Sequence, residues 1–164
     1  MQNAIGNVGG LNKMTDIQLT CQAALYASGN LIGGKISLIN AAFERYQVGA
    51  ILASAVLSCK TALNQDVDLV LFSSDPSGTT FTENAAFSIA TADLPKVLGV
   101  LTFAAANRKA LGTPVVATLN NLNLVLEGLT YQVNSLYGAC VIRGAFTPGS
   151  TSDFFLRLGI SRDM

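Results

Sequence analysis

Asp66 and Asp68 are the first residues of this chain whose spacing suggests chemistry, because two carboxylates two apart on an extended strand share one face. Paired acids of that kind serve glycosidases, and they can begin a calcium site. Neither chemistry is complete here. A glycosidase needs its carboxylates across a cleft from one another, and calcium takes more oxygens than these two side chains supply. Val67, Leu69 and Leu71 alternate with the acids, so Asp66 and Asp68 read as the solvated face of a strand whose other face is buried. Asp75, Glu83 and Asp93 fall at turn and loop positions, and read as turn and capping residues.

The chain contains no histidine, which removes Ser-His-Asp and Cys-His catalysis and every His-ligated metal site. Cys21, Cys59 and Cys140 lie in apolar runs, too far apart for a metal motif, and are expected to be small buried hydrophobes, with one disulfide left open. Gly6, Gly9 and Gly10 follow no strand that would support a phosphate loop. The expectation is therefore a non-enzyme with no catalytic residue, no metal site and no cofactor. Phe72, Phe81, Phe87 and Phe103 cluster in the middle of the chain, and core packing suits them better than a sugar-stacking platform. Tyr26, Tyr46, Tyr131 and Tyr137 sit near strand ends, where half-buried rings with wet hydroxyls are interface candidates.

Ten basic and ten acidic residues cancel, and no basic run exists, so a nucleic-acid partner is not expected. Charged residues make up 12% of the chain, about half the usual share of about 25%. A monomer with so bare a surface risks association, which implies that part of it is covered by other subunits. No apolar run approaches the roughly 18 residues of a membrane-spanning helix. An outer-membrane barrel would need aromatic girdles, against no Trp and four Tyr here. The opening residues do not read as a secretory signal, and the odd cysteine count fits synthesis in a reducing cytoplasm.

The elements that must position these residues are short strands. Residues 1–15 are rich in Asn and Gly and read as an irregular N-terminal arm; residues 16–164 read as one domain. Alternation predicts strands over Ile17–Leu25, Leu31–Ile39 with a bulge at Gly33-Gly34, Gly49–Cys59, Val67–Phe72, Val97–Phe103, Val115–Leu119, Leu122–Leu126, Asn134–Arg143 and Phe154–Ser161. An extended piece is expected within Thr79–Phe87, a looser segment over Ala104–Gly112, and short helical turns after Asn40 and near Asp93. Asp75-Pro76-Ser77-Gly78 and Phe146-Thr147-Pro148-Gly149-Ser150 supply turns. About eight to ten strands with one or two helical turns make an all-β, single-domain, jelly-roll-like β-sandwich.

Three blocks carry a resemblance: Asp66 to Phe103, ALYASGNLIGGKISLINA at 24–41, and FTPGSTSDFFLRLGISRD at 146–163. Together they resemble the head decoration, or cement, proteins of tailed bacteriophages. The resemblance implies a structural protein bound to the outer surface of the virion's capsid, bridging major capsid protein subunits, often as a homotrimer. It transfers no contact residue. The alternative is a carbohydrate- or receptor-binding module on the virion, with loop residues such as Tyr26 or Asp75 touching the glycan.

Overall fold

Strands that bury every second residue need a second layer to bury them against, and two sheets packed face to face meet that need. The computed structural model describes residues 12–38, 50–126 and 136–162. Among them are nine strands: β1 (Asn12–Leu19), β2 (Leu31–Leu38), β3 (Ala50–Cys59), β4 (Val67–Phe72), β5 (Val97–Phe103), β6 (Arg108–Ala110), β7 (Val115–Val125), β8 (Leu136–Ile142) and β9 (Phe154–Arg162). One sheet has the order β1-β9-β3-β7-β6 and the other β2-β8-β4-β5, with every pairing antiparallel.

The order follows from one long hairpin rolled up on itself: β1 pairs with β9, β2 with β8, β3 with β7 and β4 with β5. Further pairing of β9 with β3 and of β8 with β4 knits the ribbon into two sheets. This is the jelly-roll β-sandwich expected from the sequence. Its core is built by alternate residues, Leu57 and Cys59 from β3, Leu69 and Leu71 from β4, Leu156 and Leu158 from β9, all buried.

Several boundaries differ from expectation. The first strand runs Asn12–Leu19 rather than Ile17–Leu25, so it begins inside the segment read as an irregular arm. After Leu19 the chain leaves the five-stranded sheet to reach the other layer. Cys21 is still buried, held by its N–H to the Thr151 carbonyl at 3.0 Å, while Leu25 is left exposed. The Asn120-Asn121 break does not divide the chain there. β7 runs through it, absorbing the bend in left-handed Asn121 and Asn123, with φ of 56° and 48°. Thr79–Phe87 forms no strand beyond one bridge from Ala86 to Asn30, and the looser segment contains the short strand β6.

The Gly33-Gly34 bulge is present. Both glycines have positive φ, 78° and 69°, and a Cβ on Gly33 would lie 2.8 Å from that of Leu19. A 3-10 turn spans Thr91–Lys96, but Asp93 does not cap it; the N-cap position is Ala90, and Asp93 lies inside the turn with its side chain buried. A second 3-10 turn spans Ala105–Asn107. The turn expected after Asn40, and Tyr46 and Tyr131, lie outside the described residues.

Candidate interaction surface

The acids singled out by spacing are bound to the protein itself. Asp66 precedes β4 and accepts the Ala105 N–H at 2.6 Å; Asp68 accepts the Thr102 hydroxyl at 2.6 Å and pairs with Arg143 at 2.7 Å. Asp75, at the exposed turn, pairs with Lys35 at 2.9 Å. Among the described residues no three His, Cys, Asp or Glu side chains converge as metal ligands would. Cys21, Cys59 and Cys140 are free and buried, and burial pushes the Cys59 and Cys140 thiols up to about 12.

Glu83 has a role that its loop position did not disclose. One carboxylate oxygen accepts the Tyr26 hydroxyl and the Gln22 N–H, the latter at 3.1 Å. Its other oxygen accepts the N–H groups of Gly33 and Gly34, the latter at 3.2 Å. Those N–H groups are free because the glycine bulge turns them away from the β2–β8 ladder. Tyr26 is therefore not a half-wet ring: its side chain is fully buried, and burial, reinforced by the Glu83 carboxylate, pushes its phenol up. The partner that satisfies its hydroxyl lies far along the chain, so local sequence gave no signal for it.

Glu83 belongs to segment 73–96, which joins β4 to β5 and folds back over the outer face of the four-stranded sheet. That face is apolar: Leu31, Val70, Phe72, Ala139 and Val141 are buried beneath Phe81, Phe87 and Ile89. Phe81 meets Phe72 edge-on at 6.3 Å between centroids, and Phe87 at 5.5 Å. The four phenylalanines do pack as core, but in two places, since Phe103 lies between the sheets. The buried Asp93 holds the segment's second half, accepting the Thr79 hydroxyl and the Lys96 ammonium, each at 2.7 Å. The ammonium chiefly keeps its carboxyl below the ordinary value.

A third carboxylate ties the loops at the end where β3, β7 and β9 meet. Asp153 is buried, and accepts the Thr61 hydroxyl at 2.5 Å, the Gly149 N–H at 2.6 Å and the Ser150 hydroxyl at 2.7 Å. Burial alone would raise its pKa; the three donors together outweigh that and hold it below the ordinary value.

The outer face of the five-stranded sheet has no such cover among the described residues. Cross-strand partners form two rows, Asp16, Arg157, Val56 and Thr118 in one, and Gln18, Phe155, Ser58 and Val116 in the next. Arg157 grips Asp16 with two bonds, of 2.5 and 3.0 Å. A groove of about 450 Å³ runs between them, lined by Val56, Ser58, Val116 and Phe155 beside that ion pair. Phe155 is 39% exposed and Met14, further along β1, 57%. Val56 and Val116 are half-buried by their neighbours within the sheet.

The architecture thus defines the chain as a jelly-roll β-sandwich in which, among the described residues, one outer sheet face is covered and the other is open. No protein-family model matches the chain. No curated protein matches it either. Among solved structures it is similar to one described as Desmodium yellow mottle tymovirus, with 14% identity and a TM-score of 0.32, covering 94% of this chain and 88% of that one.

Proposed function

We propose that this chain is a structural virion protein that decorates a phage capsid, binding its outer surface as a homotrimer and bridging major capsid subunits. A jelly roll by itself assigns no function, because unrelated activities share it. The observation that carries the proposal is the open face of the five-stranded sheet. Phe155, Val56, Val116 and Met14 are interleaved there with Ser58, Thr118 and the internally paired Asp16–Arg157 couple. A mixed face with an exposed aromatic suits docking on another protein, because such interfaces are about as apolar as the rest of the surface and are enriched in aromatic residues and Arg. The 12% charged content and the three blocks that resemble head decoration proteins agree with it.

Particles assembled without this protein provide the test. Added protein is expected to bind them at saturable, symmetric copy number and raise their resistance to heat, and electron microscopy should place it on the head exterior. Failure to bind, together with unchanged particle stability, rejects the proposal. Of the loop residues offered as examples for the glycan-binding alternative, the buried Tyr26 cannot stack on a sugar, while Asp75 is exposed.

A further inference from the structure

The rim of a β-sheet presents backbone N–H and C=O groups that its own ladder leaves unpaired, and natural edges carry devices that stop other strands from adding to them. Among the described residues the edges are β1 and β6 in one sheet and β2 and β5 in the other. β1 carries Asp16, and β2 is bent by its left-handed glycines and carries Lys35. β6 is 3 residues long and includes Arg108 and Lys109, while β7 beyond its reach is twisted by left-handed Asn121 and Asn123.

β5 differs from all of these. Val97–Phe103 contains no charged residue, no proline and no left-handed residue. Its single irregularity is the extra residue Leu98, which shifts the register against β4 and leaves Gly99–Phe103 as a regular run. Among the described residues no strand pairs with the far side of that run. Val100 stands on its outer face with 52% of its surface exposed, flanked by exposed Thr102.

We infer that β5 is a self-association edge, whose occupant is the β5 strand of a second copy of this chain, added antiparallel about a two-fold axis. The pairing joins two four-stranded sheets into one continuous sheet. Hydrogen bonding requires an extended partner, and a second β5 offers the same unguarded row. With no charge on the run, self-pairing sets no like charges opposite each other. It also brings the two Val100 side chains near the axis on one face. Such a contact is isologous, so every bond occurs twice, whereas a trimer needs a heterologous contact through a different surface. The inference therefore stands or falls apart from the capsid proposal.

The test is the sedimentation mass of purified V100K beside wild type and T113K, with circular dichroism as the check on folding. Val100 and Thr113 are both exposed, so either lysine is compatible with the fold. V100K is expected to halve the mass, whether the parent is a dimer or a pair of trimers, and T113K to leave it unchanged. An unchanged mass for V100K overturns the inference. In wild type, amide hydrogen exchange within Gly99–Phe103 should slow as protein concentration rises. Exchange there that is independent of concentration also overturns it.

Discussion

The two sheets of this sandwich solve the same problem in different ways. Each has an outer face bearing apolar residues, yet the four-stranded sheet is roofed by segment 73–96, and the five-stranded sheet has no roof among the described residues. Composition explains the difference. Beneath the roof the face is continuous, Leu31, Val70, Phe72, Ala139 and Val141, and such a surface in water would favour aggregation. On the open face Val56 and Val116 alternate across strands with Ser58, Thr118, Arg157 and Asp16, which water tolerates and a partner can still use. A face too apolar to remain wet has its own cover. The mixed one has none among the described residues.

The sharpest way to break this comparison is to remove what the roof rests on. Phe72 is fully buried between the sheet and Phe81. Phe72→Ala should cost about 3–5 kcal/mol of unfolding free energy, the usual range for emptying a packed aromatic site. Chemical denaturation measures it. A loss below about 1 kcal/mol would mean that the roof contributes little to the fold.

Next in size is the tie that holds the roof to the bulge. Glu83→Ala removes the acceptor used by three N–H groups and the Tyr26 hydroxyl. Unmet buried donors cost about 1–3 kcal/mol, partly offset where water reaches the gap. Hydrogen exchange should rise across 73–96 and around Gly33 before it rises in β3 or β9. Uniform acceleration would show that the roof and sandwich open as one unit.

Acid should loosen the carboxylate ties with a definite sign. Asp93 and Asp153 both have folded values held below the ordinary 3.8. Their contribution is therefore complete above about pH 4 and is lost as pH falls through the lower folded values. Unfolding midpoints should drop as pH falls below about 4, and Asp153→Asn should flatten part of that slope. If the variant and wild type keep parallel profiles, the Asp153 cluster is not acid-sensitive.

How much of this was legible in the sequence follows the range of the interactions. β3, β4 and β5 lie where alternation placed them, and Gly33-Gly34 marked the bulge, since those signals act over a few residues. The end of β1 was missed because Cys21, Ala23 and Leu25 continue its apolar period after the chain has left the sheet. Tyr26 and Asp93 depart from expectation for a common reason: each is buried by virtue of a partner that folding supplies. Local sequence displays a polar side chain, but not the Glu83 or Thr79 that will satisfy it. The roof itself escaped notice for the same reason. Phe81 and Phe87 announced an apolar contact without showing that its other half was the back of β4 and β8.

The smallest effect on stability should separate the two faces most cleanly. Phe155 is 39% exposed on the open face, where its main added contact is the Lys60 ammonium 5.2 Å from its ring centroid. Phe155→Ser removes a ring that is only partly exposed and lines the groove with Val56 and Val116, so unfolding free energy should fall by about 1 kcal/mol, well short of the loss at Phe72. The same change should weaken binding to capsid particles at least about tenfold, because an exposed aromatic at the centre of a docking surface carries more than its share of the binding energy. Titration of particles with labelled protein measures that loss, and denaturation measures the stability. Weak binding with so small a loss of stability would separate the face kept for a partner from the face kept for folding. Unaltered binding would move the docking surface elsewhere and leave the open sheet without an assigned partner.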